Sequence, residues 1–373
     1  MVLALLLAFS QFIPVEDPWV HRFAEVEELS DGTIALVNGS VMEDLCVFLF
    51  DQQGEMIASR EDLSVPGRAL ESGGWIVPAS DGGFFMVSFS EPRATGIDSD
   101  IAVFRLNGDY STRWVDVIGE GTDDVFTCFG ASGSPGGRLA VLGGEGYAGL
   151  NSFLRVYEDD GSVAWEHSWN EDDGYLPVAV GQVIGGNLVL HSHVFSDRSF
   201  LQMYDTSGAM EWETALPLNV IHGPAAFCDT EMGYGVFFGT GDVNSRSGVT
   251  LLVRPDGQVL ERLSMAHMTD LSGAALDGNL QVALAGSIAA GDYYRGIFQS
   301  RDFQGGTPWF RTIRGEGESG FSALCPLESG GFLLAGYFIP EDPGATAGGL
   351  LIRTLSDGSV EGTPEPGVIP LPE

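Results

Sequence analysis

The chain has 373 residues, 44% of them hydrophobic, and a formal net charge of −35, with 52 acidic side chains against 17 basic ones that are all arginine. A surface of that balance repels phosphate backbones and argues against nucleic acid as a partner. The absence of lysine excludes Schiff-base and lysine-nucleophile chemistry.

Taken in chain order, the opening MVLALLLAFS resembles the apolar region of a signal peptide, with Ala8 and Ser10 as small residues before a cleavage point at Gln11. Residues 1–10 are therefore expected to be a signal-peptide remnant and the protein to be secreted or periplasmic. The run is too short to span a bilayer, and no later run is long enough. Asp17-Pro18-Trp19-Val20-His21-Arg22-Phe23 has the pattern of an outer β-strand, comparable with Thr307-Pro308-Trp309-Phe310-Arg311-Thr312.

The stretch from Asp81 to Gly121 sets the pattern for the rest. Asp81-Gly82-Gly83 mark a tight turn, because glycine takes positive φ without steric cost. Phe84 to Phe89 is an apolar run too short for a helix, and Ile101 to Leu106 is a second. Asn107-Gly108 between apolar runs signals a hairpin, and Arg113 to Ile118, with Trp114, makes a further strand. With Gly74 to Pro78 ahead of them, these form a four-stranded antiparallel meander of roughly 50 residues, the size of a propeller blade.

The pattern recurs seven times. Inner-turn glycines stand at Gly32, Gly82, Gly136, Gly185, Gly233, Gly278 and Gly330, spaced 50, 54, 49, 48, 45 and 52. Outer-turn glycines stand at Gly54, Gly108, Gly161, Gly208, Gly257, Gly305 and Gly358. A tryptophan slot follows the outer turn at Trp114, Trp165, Trp212 and Trp309, where a large ring fills the gap between neighbouring blades; Ala58 and Glu261 occupy it elsewhere. The seventh unit lacks its last strand, because prolines 364 and 366 cannot feed a ladder. The fold expected is an all-β, seven-bladed β-propeller of four-stranded antiparallel blades over 11–362. An N-terminal strand, read as Trp19 to Phe23, closes the ring, and 363–373 is a Pro-rich tail.

Units such as SGGFLLAGYF with GGLLIRTLSDGSVEG resemble secreted bacterial β-propeller repeat proteins whose units run DGGY…AG…LD..GN..W. That resemblance implies an exported propeller, in a group mostly without assigned activity. DDGSVAWEHS and SGAMEWETA look like quinoprotein-type tryptophan repeats, found in pyrroloquinoline quinone dehydrogenases and in non-enzymatic outer-membrane assembly scaffolds. This chain departs from them in having seven units instead of eight and no vicinal cysteine pair.

The remaining chemistry is sparse. Cys128, Cys228 and Cys325 read as buried small hydrophobes at equivalent first-strand positions, with Cys46 and Cys325 the one pairing worth testing. His191 and His193 share a strand face. In a meander the inter-blade connections and the second-to-third-strand loops emerge at one rim, where His222, His267, Asp270, Tyr293, Tyr294, Arg295 and Tyr147 would form a ligand-binding site. Acids on the same rim, among them Asp98-Ser99-Asp100 and Glu171-Asp172-Asp173-Gly174, could take Ca²⁺, though neither has EF-hand spacing and no dedicated cofactor or metal site is expected. No G-x-S-x-G, H-E-x-x-H, Walker or Rossmann motif is present, and no catalytic residue is assigned. The expectation is a monomeric, non-enzymatic binding or interaction scaffold for a protein or carbohydrate partner. The alternatives are a hydrolase or lyase acting on carbohydrate or peptide at the channel mouth, and a quinone- or metal-dependent oxidoreductase.

Overall fold

The computed structural model describes residues 9–14, 23–38, 45–60, 63–65, 68–92, 99–119, 125–134, 137–145, 151–193, 198–216, 220–240, 247–265, 271–277, 280–290, 293–302, 306–313, 317–327, 330–341, 348–360 and 368–369. Their strands form seven sheets, each an antiparallel meander numbered here from the axis outward. Blade one is Phe23–Glu28, Ile34–Asn38, Val47–Phe50 and Met56–Arg60, and blade two is Arg68–Pro78, Phe84–Pro92, Asp100–Leu106 and Thr112–Ile118. The inner strands of blades three to seven are Phe126–Gly133, Tyr175–Val183, Val220–Thr230, Leu271–Leu276 and Gly317–Pro326. Inner strands touch their neighbours all round the ring, the seventh against the first. Among the described residues no helix is long and apolar enough to cross a membrane.

The middle strands of each blade are covered on both faces, so runs such as Asp100–Leu106 and Gly348–Thr354 are buried throughout, whereas outermost strands such as Thr112–Ile118 and Met210–Leu216 expose alternate residues. In blade one, Ala35 and Val37 face the cluster shared with blade two, while Ile34 and Leu36 face the one shared with blade seven. Seven such buried clusters lie one at each junction between blades. The core is thus a ring of interfaces, and removing any blade would expose two of them.

The ring closes through an N-terminal strand, but not the one the sequence suggested. Phe9–Pro14 pairs antiparallel with Gly348–Thr354 as the outermost strand of blade seven, from Phe9 opposite Arg353 to Pro14 opposite Gly348. Phe23 instead opens the inner strand of blade one. The chain must travel from the outer edge of the last blade to the axis between Pro14 and Phe23, so Trp19 falls in that stretch, outside the described residues. Phe9 and Ser10, assigned by sequence to a signal remnant, lie in the closing strand. In the Pro-rich tail, Val368–Ile369 pairs in parallel with Thr312 and Ile313 at the outer edge of blade six.

The glycine beat marks left-handed turn positions, with three corrections. The five-residue turn recurs: in blade three the Glu158 amide bonds the Ser162 carbonyl, and Gly161 sits at φ 89°. In blade two the equivalent bond runs from Asn107 to Ser111, and Tyr110, not Gly108, occupies the left-handed position at φ 64°. Leu280 (φ 61°) does so in the inner turn of blade six and Gly137 in blade three, while Gly278, Gly136 and Gly305 lie outside the described residues. A non-glycine residue there costs about 1–2 kcal/mol, and burial opposes that cost at Leu280, which is 7% exposed.

The tryptophan slot packs as expected, each ring over the outer turn of the next blade. Trp114 lies over Gly161, Trp165 over Gly208, Trp212 over Gly257 and Trp309 over Gly358. Trp114 Nε1 donates to the Asp159 carbonyl at 2.9 Å, and Trp212 Nε1 to the Pro255 carbonyl at 2.8 Å. A Cβ on Gly208 would come within 2.6 Å of the Trp165 ring, whereas one on Gly330, also left-handed, meets nothing within 4 Å. Gly208→Ala is therefore expected to cost about 2 kcal/mol and Gly330→Ala only about 1 kcal/mol. Equal denaturation midpoints for the two variants would deny the ring-on-turn contact.

Candidate functional site: the axial channel

Every blade carries a register shift in its first strand pair: between Phe23 and Glu25, Leu70 and Gly74, Cys128 and Gly130, Pro177 and Ala179, Val220 and Ala225, Leu271 and Gly273, and Phe321 and Ala323. A β-bulge bends its strand and re-aims its side chains. Here all seven fall where the inner strands wall the axis.

They surround a channel of about 740 Å³. Its wall is mostly small or apolar: Gly130 and Ala131 from blade three, Val178 and Ala179 from blade four, Phe227 from blade five and Ala274 from blade six. Among the described residues that line it, the carboxylates come from blade one, as Glu25 and Glu27. Two residues apart on one strand, they share a face. Burial first, and the neighbouring Glu27 second, hold the Glu25 carboxyl well above the usual range. Burial likewise raises Glu27 to about 7, with the Cys325 hydrogen bond opposing and Glu28 adding to the rise.

Cys325 belongs to blade seven, and its Sγ donates to Glu27 Oε2 at 3.1 Å across the seam where the ring closes. Burial and that carboxylate push its thiol well up, and burial pushes Cys128 up to about 12. Both thiols are therefore protonated and poor nucleophiles near neutrality. None of the four cysteines is in a disulfide, so Cys46 and Cys325 do not pair. Cys228 and Cys325 follow their bulges, whereas Cys128 precedes its own, so the three are not positionally equivalent.

The rim residues expected to form a site fall mostly beyond what the structure describes. Tyr147, His267 and Asp270 lie outside the described residues, and so does Asp98. His222 and Tyr293 stand on described strands, Val220–Thr230 and Tyr293–Arg301, without described side chains. Tyr294 and Arg295 are exposed at the start of the third strand of blade six, on the loop-side rim. Glu171–Asp173 forms a single 3₁₀ turn between blades three and four. Asp100 is buried and paired with Arg68.

His191 is fully buried, edge-on to Trp169 at 4.5 Å and 5.2 Å from Tyr175. His193 is 5.6 Å from Tyr175 and 5.6 Å from Phe200, so the two imidazoles grip one tyrosine ring. Burial, then His167, hold His191 down at about 3, and it stays neutral across the physiological range. Among the described residues no group of three or more His, Cys, Asp or Glu is arranged to hold a metal ion.

The residues that sequence reasoning missed are Glu25 and Glu27. Their signal was available: FAEVEEL puts alternating glutamates on an inner strand at positions held by Gly130 and Ser132 in blade three and by Gly273 and Ala275 in blade six.

No family model matches the chain, and no curated protein matches its sequence. Solved structures share its fold. The "Dos1 propeller" superposes with a TM-score of 0.52 at 11% identity, covering 97% of this chain and 97% of that one. A protein of unknown function from Bacteroides caccae aligns at TM-score 0.45 and 15% identity, over 73% of this chain and 94% of the other. Quinohemoprotein alcohol dehydrogenase ADHIIG from Pseudomonas putida HK5 aligns at 0.47 and 10% identity, over 89% and 67%. At 11% identity the likeness to the Dos1 propeller speaks for the fold alone.

Proposed function

We propose that the protein is a non-enzymatic binding scaffold, secreted or periplasmic, for a protein or carbohydrate partner. The observation that carries this reading is the axial channel, a preformed concavity with a small, apolar wall over blades three to six and, among the described lining residues, its carboxylates on one strand of blade one. Such a surface recognises shape and apolar area, with a few polar groups setting orientation. The lysine-free, strongly acidic composition supports export as a soluble module. A second reading, a hydrolase or lyase, draws on Glu25 and Glu27, since a carboxyl raised to about 7 suits a general acid. Assays with chromogenic glycosides and labelled peptides between pH 5 and 8 separate the two readings. Equal background from the wild type, Glu25→Gln and Glu27→Gln is expected. Turnover by the wild type that Glu27→Gln abolishes would replace the scaffold reading with the enzymatic one.

A further inference from the structure

The inner turns of blades four and five break the pattern of the ring. By sequence, the other five inner turns are made of Ser, Asp, Asn, Glu, Gly and Pro, for example Ser30-Asp31-Gly32 and Ser80-Asp81-Gly82, apart from Leu280 in blade six, which is buried at 7% exposure. Blades four and five use two-residue turns instead, Ile184-Gly185 between the paired Val183 and Gly186, and Glu231-Met232 between the paired Thr230 and Gly233. Turn tips favour Gly, Asn and Asp, yet Ile184 is 77% exposed and Met232 57% exposed. The two tips are braced together. The Ile184 amide donates to Asp229 Oδ1 at 2.9 Å, and Tyr234 Oη donates to the Ile184 carbonyl at 3.3 Å. A rigid pair of apolar knobs thus stands beside the turn-side mouth of the channel.

Across the axis, the same mouth opens into a recess of about 760 Å³ on blades seven, one, two and three, bordered by Glu27, Glu28 and Asp31. Arg353 lies 3.6 Å from Glu28. Asp229 and the exposed Glu231 flank the knobs; of the exposed arginines on the turn side, Arg254 lies on the outer turn of blade five and Arg113 is paired with Asp159.

From this arrangement we infer that the turn-side mouth docks a basic protein surface, one that presents apolar side chains between lysines or arginines. This deepens, and rests on, the scaffold reading. Charge selects the class of partner: a net charge of −35 repels anionic membranes and nucleic acids and attracts cationic protein surfaces. Shape selects it too, because convex knobs cannot enclose a small molecule but can fill hollows on another protein, where buried anchors dominate affinity.

The test uses the full chain and three short labelled peptides: alternating Leu–Lys, alternating Ser–Lys and alternating Leu–Glu. Anisotropy titrations are expected to rank Leu–Lys first, Ser–Lys about tenfold weaker and Leu–Glu without binding. Ile184→Ser/Met232→Ser should weaken Leu–Lys about tenfold, and Ile184→Leu/Met232→Leu should retain it. Met56→Ser/Ile57→Ser, which removes exposed apolar side chains on the outermost strand of blade one, should leave affinity unchanged. Equal affinity for Leu–Lys and Ser–Lys, or for the wild type and the double-serine variant with unchanged circular dichroism, overturns the docking assignment. That result leaves the scaffold reading standing, whereas catalytic turnover defeats the scaffold reading whatever the peptides do.

Discussion

Arg105→Ala is expected to destabilise the protein by about 3–5 kcal/mol, and Arg105→Met by well under half as much. Arg105, on the third strand of blade two, is 1% exposed, the largest fully buried side chain among the described residues. Its Nη2 donates to Asp81 Oδ1 at 2.7 Å, its Nε to Asp159 Oδ1 at 2.8 Å, and its Nη1 to the Leu106 carbonyl. The guanidinium lies 5.0 Å from the Phe85 ring centroid. It thereby ties the inner turn of its own blade to the outer turn of blade three. Alanine removes these bonds and leaves a void, whereas methionine refills the volume without a charge to desolvate. The two aspartates are 40–46% exposed and can return to water. Asp81→Asn/Asp159→Asn should therefore be worse than Arg105→Met, because it leaves a buried cation without counter-charges. Chemical denaturation of the four proteins measures this. Methionine as damaging as alanine would mean that the ion pairs, and not the packing, hold this junction.

Glu27→Gln is expected to stabilise the protein at pH 8 by about 2–3 kcal/mol and to change little at pH 4.5. With its folded-state pKa raised from 4.5 to about 7, the side chain keeps its proton after the unfolded chain has lost it. Between those values the unfolded state binds fewer protons, so stability falls as pH rises, and above about 7 the loss is complete. Glutamine, which cannot ionise, still offers a carbonyl to Cys325 and removes that slope. Opposite behaviour belongs to the turn aspartates. Hydrogen bonds from Ser111, Ser162 and Ser207 lower Asp109, Asp160 and Asp205, and their contribution is lost only as pH falls below the ordinary range near 3.8. Melting curves from pH 4.5 to 8 in which wild type and Glu27→Gln run parallel would refute the burial assigned to this carboxyl.

The blade count was legible because turn chemistry is local: a left-handed residue every fifty or so positions leaves a glycine in the text. The same reasoning slipped wherever a bulkier residue took that conformation, at Tyr110 and Leu280, and a nearby glycine was taken instead. Closure was harder to read, because Phe9–Pro14 and the Trp19 segment both look like edge strands. Only the path back to the axis decides between them. The channel acids were hidden for a related reason: alternation shows that Glu25 and Glu27 share a face, but the bulge decides that this face meets the axis. Contact between Glu27 and Cys325 joins residues from the two ends of the chain, which no local pattern reports.

Blade seven draws three strands from the C-terminal part of the chain and its fourth from Phe9–Pro14. During synthesis Phe9–Pro14 must wait for Gly348–Thr354, so six wedges can assemble while the circle stays open. Contacts between such distant segments form slowly. A ribosome stalled before Gly348 would therefore hold an arc with two bare flanks, one on each terminal wedge, and the latch engages only once Gly348–Thr354 has emerged.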